Sequence, residues 1–199
     1  MAHIVSVPED NCLPAKIRQL ASEILSKDEL IVYPTDTLYG LGTRITENGL
    51  RKVFTVKKRS ENRKPPILIS ETHIALKLVE PNDLLWDLAT NFWPGPLTIV
   101  AKASANAPDP LRDWGYIGIR LPNSCIAREL ARLAGGYIIG TSANISGKPT
   151  PSTIKKIYEI FGDTVQLYID AGPRPGPAST VVIIEDDNIK VLRKGAALL

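Results

Sequence analysis

The chain of 199 residues is 44% hydrophobic and carries a formal net charge of +3. That length and composition suit one globular domain with a sizeable core and exclude a disordered chain. So small a basic excess does not by itself point to nucleic acid, and no apolar run approaches the length of a membrane span.

In chain order, MAHIVSVPEDNCLP lacks the charged-then-apolar sequence of a secretory signal, so a cytoplasmic location is expected. LPAKIRQLASEILSKDE reads as a helix, because Ile17, Leu20, Ala21, Ile24 and Leu25 share one face and Pro14 suits the first turn. LIVY reads as a short buried strand. TENGLRKVFTVKKR places Leu50, Val53 and Phe54 on one face, with Thr46 as N-cap. PPILIS is strand-like, NDLLWDLATNFW is helical until PGP stops it, and LTIVAK is a strand. NAPDPLRDWGY is a loop by its Pro, Gly, Asn and Asp content. IGIRL is a strand, and NSCIARELARLAGG a helix with a Ser or Asn cap and a Gly stop. YIIG is a strand and GTSANISGKPTP a long polar turn. TPSTIKKIYEIFG is a helix capped by Thr150, with Pro151 at its first position and Gly162 beyond its end. VQLYID, STVVII and IKVLRK close the chain as strands. The expectation is a single α/β domain over residues 1–199, with a twisted sheet of mixed parallel and antiparallel strands and flanking helices.

Three segments hold candidate chemistry. VYPTDTLYGLG ends a buried strand in Thr35 and Thr37, whose hydroxyls donate and accept, and in Gly40 and Gly42, which let backbone approach a ligand. The plainer alternative there is an ordinary Pro-Thr-Asp turn. In VFTVKKRS, Lys57 stands four residues after Val53 and continues the apolar stripe, so its stem can cover the core edge while its ammonium enters a cleft. Arg59 follows just past the helix end. A point charge beside a planar fork suits phosphate oxygens, although cations there also complement the helix dipole. IIGTSANISG places Thr141, Ser142 and Asn144 at another strand end, with Ser179 and Arg193 in two later segments.

Familiar motifs are absent: neither a Walker-type phosphate loop nor a full G-x-G-x-x-G turn is present. Cys12 and Cys125 have no short spacing, and His3 and His73 add no metal signature. The cysteines are expected to be ordinary thiols, and no metal ligands are assigned.

Taken in order, YPTDTLYGLG, KKR after a helix, WPGPLT, IRLP, TSAN and STVV resemble the YrdC family from about Leu30 to Gly195. Its Lys-x-Arg pair and distant Ser-x-Asn are matched by Lys57, Arg59, Ser142 and Asn144, the implied catalytic set. The resemblance implies a concave basic cleft and a threonylcarbamoyl-AMP synthase. Such an enzyme takes L-threonine, bicarbonate and ATP with Mg²⁺, and releases pyrophosphate. A downstream transferase then passes the group to tRNA, and an RNA contact is a further expectation. Thr35, Thr37, Arg120, Ser142 and Ser179 are the implied threonine contacts; Arg59, Lys64, Asn144, Ser152 and Arg193 are the implied ATP contacts. The longer synthases carry an extra C-terminal domain, for which this chain leaves no room. Two positions depart from the pattern: Ile69 or Ser70 stands where many members have His, and Ile183 where an acidic residue is common. Two other readings compete. One is a double-stranded-RNA-binding module with backbone contacts around KKRSENRK; the other is a carbamoyl-adenylate-forming relative, whose cysteine clusters are missing.

Overall fold

The computed structural model describes residues 1–8 and 12–199. Its strands divide between two mixed sheets instead of the one expected. The first contains β1 (His3–Ser6), β2 (Ile31–Pro34), β3 (Tyr39–Gly42), β8 (Thr141–Ser142) and β9 (Leu167–Asp170), in the order β1-β9-β2-β3-β8. The second contains β4 (Ile67–Ile69), β5 (Leu97–Lys102), β6 (Tyr116–Arg120), β7 (Tyr137–Ile139), β10 (Thr180–Glu185) and β11 (Asn188–Arg193), in the order β11-β10-β5-β6-β4-β7.

Glycines make the junction. The chain leaves β7 and enters β8 at Gly140, where a Cβ would stand 2.3 Å from Leu68 Cγ. Beside it, a Cβ on Gly42 would lie 1.9 Å from the Ile139 carbonyl oxygen, so only glycine lets β3 pass over β7. Ile139 N donates to Thr43 O at 3.1 Å, and Tyr33 OH donates to Ile139 O at 2.9 Å, tying the two sheets together. Gly42 therefore serves strand crossing, whereas Gly40 lines the cavity described below.

The helices are α1 (Ala15–Ser26), α2 (Glu47–Lys57), α3 (Ala75–Leu78), α4 (Asp83–Phe92), α5 (Cys125–Leu133) and α6 (Ile154–Phe161). In the apolar stripe of α2, Leu50, Val53 and Lys57 are buried and Phe54 is half-buried against the core, while Thr46 accepts from Gly49 N at 3.0 Å. Ser124 caps α5 through Ala127 N at 3.3 Å. Ala21 and Leu25 of α1 and Ile126 and Leu130 of α5 pack with Ile31, Tyr33 and Leu167 in one core. Val53, Leu85, Ile99, Ile117 and Ile157 belong to a larger one.

Three local expectations change. Helix α6 starts later than TPSTIKK indicated: Thr153, not Thr150, holds the N-cap position, without a side-chain cap bond. The chain bends at 152–153, and Gly162 at φ 49° closes the helix. Strands β1, β3 and β8 and the helical turn at 72–78 went unread, since YGLG and TS are too short and glycine-rich to show alternation. Cys12 and Cys125 are not separate thiols but a disulfide across 113 residues, with Cα atoms 5.1 Å apart. What brings them together is the packing of α5 on the N-terminal arm. There Leu13 N donates to Glu129 Oε2 at 2.8 Å, and Arg18 pairs with the same carboxylate.

Candidate active site

Where the sheets meet lies a cavity of about 380 Å³, adjoining a second of about 350 Å³. They share Arg59, Lys64 and Ser142. The floor is one face of the second sheet. Alternation on β6 turns Tyr116, Gly118 and Arg120 inward, β5 contributes Thr98 and Val100, and Leu68 of β4 pairs with Arg120. Thr98 lies opposite Val181, which in turn faces Arg193 across the β10–β11 hairpin.

One end of the larger cavity is rich in hydroxyls. Thr35 Oγ1 donates to Leu38 O at 2.6 Å and accepts from Thr37 N and Leu38 N at 3.2 Å, the bonding of a threonine turn. Its only proton is thereby used, so in the 3.1 Å contact between the two hydroxyls Thr37 is the donor and Thr35 the acceptor. Thr37 Oγ1 accepts from Arg120 Nη1 at 3.1 Å. Arg120 is buried, gives its Nε to Gly95 O at 3.0 Å, and forms an ion pair with Asp36. Its guanidinium thus holds the turn from beneath. Across the cavity, Ser179 Oγ lies 3.0 Å from Thr98 Oγ1, and Arg193 Nη2 reaches that same serine oxygen at 3.1 Å.

The other end is cationic. Lys57 Nζ donates to Ser142 O, to Asn144 O at 2.7 Å and to Asn144 Oδ1 at 3.1 Å. Ser142 Oγ donates to the same Asn144 oxygen at 2.6 Å. Lysine therefore fastens the 142–144 loop with all three of its donors, and burial together with the Arg59 charge pushes its pKa down to about 7. Arg59 follows Lys58, whose left-handed φ of 51° ends α2 and turns the chain. Its guanidinium lies between the cavities, donating to Lys64 O at 3.0 Å and Thr141 Oγ1 at 3.3 Å. Burial lowers the pKa of Arg59, Arg120 and Arg193, yet an arginine keeps its charge throughout. Among the described residues lining the two cavities none is acidic, so the field inside is positive.

Thr35, Thr37, Arg59, Lys64, Arg120, Ser142, Ser179 and Arg193 all line the larger cavity. Lys57 and Asn144 line the smaller one. Ser152 lines neither; it precedes α6, and its carbonyl accepts from Arg174 N at 2.7 Å. Ile69, Ser70 and Ile183 also stand outside, and β4 presents Leu68 to the cavity after Pro65 and Pro66. Thr141, singled out in the sequence, lines the larger cavity, whereas Thr98, Asn62 and Tyr116 escaped the sequence reading. For Thr98 the signal was available, because it is a lone hydroxyl in the apolar strand LTIVAK.

A resident metal does not fit this site. Among the described residues no group of three or more His, Cys, Asp or Glu could hold one.

The family model Sua5/YciO/YrdC, described as "Telomere recombination", matches residues 23–195. A putative threonylcarbamoyl-AMP synthase of Methanocaldococcus jannaschii is 37% identical over 178 residues, 88% of this chain and 84% of the relative. Crystalline P. abyssi Sua5 complexed with L-threonine superposes with a TM-score of 0.88 at 31% identity, covering 98% of this chain and 58% of that one. E. coli YciO gives a TM-score of 0.88 at 26% identity, covering 98% of this chain and 96% of that one. The chain thus spans little more than half of the longer Sua5 protein.

Proposed function

The chain belongs to the Sua5/YciO/YrdC family, and on that footing we propose that it is a threonylcarbamoyl-AMP synthase, a nucleotidyltransferase built as one domain over residues 1–199. One observation carries the reading: side chains from five separate segments, Thr37, Arg59, Ser142, Ser179 and Arg193, line a single positively charged cavity. Folding alone gives no reason for those segment ends to converge; reacting two anions does.

In this reading the amine of threonine takes up carbon dioxide from bicarbonate as a carbamate. A carbamate oxygen attacks the α-phosphorus of ATP, and the bond to the β-phosphate oxygen breaks. Pyrophosphate leaves with the electron pair, and threonylcarbamoyl-AMP remains. Thr37, Ser142 and Ser179 bind threonine. Arg120 lines the same end of the cavity and also holds the Thr37 hydroxyl in place. Arg59 faces the α-phosphate between the two cavities, and the loop fastened by Lys57 presents Asn144 to the triphosphate. Arg193 closes the far side. These cations oppose charge where it develops. No lining side chain among the described residues is a carboxylate or a histidine, and in this reading the amine reacts in its free form. A concave site protects the short-lived carbamate from water.

Mg²⁺ enters with ATP. The product passes to a separate tRNA-modifying transferase, and we place both steps in the cytoplasm. The exposed Lys58, Arg63 and Lys64 beside the smaller cavity are the face assigned to an RNA contact. Pyrophosphate release with threonine and bicarbonate omitted in turn tests the reading. Release should require both, and undiminished release without threonine would remove it.

A further inference from the structure

We propose that Cys12 and Cys125 form a reversible thiol–disulfide switch acting on the amino-acid end of the cavity. Their Cα separation of 5.1 Å is one that a disulfide spans without backbone movement. Cys12 is exposed and Cys125 half-buried, so a reductant reaches the bond from the Cys12 side. Attack by a reductant thiolate on the Cys12 sulfur breaks the S–S bond. Cys125 then leaves as a thiolate at the positive end of α5. The second thiol of a dithiol reductant resolves the mixed disulfide. Each cysteine sulfur ends with one proton, and the reductant ends as its own disulfide.

The bond is joined to the site on both sides. Next to Cys125, Ser124 donates its hydroxyl proton to Pro34 O at 3.2 Å, directly before the Thr35–Thr37 turn. On the arm side, Val7 N donates to Asp170 O at 2.8 Å. Asp170 Oδ1 in turn accepts from Tyr39 OH at 3.2 Å and from Gly172 N at 3.0 Å. The segment that starts there runs past Thr37: a Cβ on Gly176 would be 3.2 Å from the Thr37 carbonyl oxygen, and Ala178 lines the cavity. Val7 and Ser124 thus sit on opposite flanks of the turn, and the disulfide fixes α5, which carries Ser124, to Cys12 beside Leu13. Glu129 still holds Leu13 N and Arg18 after reduction, so α5 loosens at its first turn without losing Leu13 and Arg18.

The threonine readout rests on the synthase reading; the exchange readout does not. The full chain is compared air-oxidised, reduced with dithiothreitol, and as the Cys12→Ser/Cys125→Ser double variant. Reduction should expose two titratable thiols and raise the threonine KM about threefold or more, with the ATP KM little changed. The double variant should match the reduced protein and ignore dithiothreitol. Amide hydrogen exchange at Thr37–Tyr39 should speed up on reduction. Two free thiols in the oxidised protein, or equal exchange in both states, would overturn the switch. So would an equal threonine KM. Absence of threonine-dependent turnover in every state would instead count against the synthase reading, and the exchange result would still decide the switch.

Discussion

At Lys57 two effects oppose each other. Burial and the neighbouring Arg59 push the ammonium down to about 7, while three oxygen acceptors surround its nitrogen and reward the charged form. Folded lysine binds its proton less tightly than unfolded lysine does, so its contribution to stability is full above the unfolded pKa and lost as pH falls toward 7. Phosphates arriving in the adjoining cavity raise the folded pKa again. ATP binding at about pH 8 should therefore take up protons, measurable as a buffer-dependent binding enthalpy, and Lys57→Met should abolish that uptake. At Arg59 the planar fork matters more than the charge, because its separate nitrogens donate to Thr141 and Lys64. Arg59→Lys should raise the ATP KM at least about tenfold, whereas a mere helix-end cation would tolerate the change. The stripe from Leu50 to Lys57 was legible in the sequence, since helical spacing shows it. The partners of Lys57 were not, because they lie 85 and 87 residues away.

Among the elements, glycines separate fold from function. Gly42→Ala drives a methyl into the Ile139 carbonyl and should cost about 1–3 kcal/mol or more, read by chemical denaturation. Gly118 is the opposite case: a Cβ there would find Thr98 and Val100 methyls at 3.5 Å, ordinary contact. Gly118→Ala should leave stability near wild type and lower kcat/KM by filling the cavity floor, and a fall in both would contradict the distinction. Amphipathic helices declare themselves by period, and α1, α2, α4 and α5 were read within a few residues. Strands of two to four residues do not. TPSTIKK pointed to Thr150 as cap because Pro151 suits a first turn, yet the helix begins only after Thr153.

For the molecule as a whole, alternation of helix and strand disclosed a mixed α/β class but not the division into two sheets. The chain changes sheet at Gly140, where a Cβ would strike Leu68, and passes from pairing with β4 to pairing with β3. The disulfide was likewise beyond sequence spacing, because the fold must first bring α5 against the arm. Both hidden features serve the site: the switch joins the sheets where the cavities open, and the arm braces the hydroxyl end. The central claim is that carbamate and α-phosphate meet within about 3–3.5 Å in this shared space. Isotopically labelled bicarbonate, supplied with threonine and ATP and followed by nuclear magnetic resonance, tests it most directly. The account predicts a nucleotide in which the labelled carbon couples to a single phosphorus through one oxygen, formed in step with pyrophosphate. Pyrophosphate release with no label in any nucleotide would contradict it.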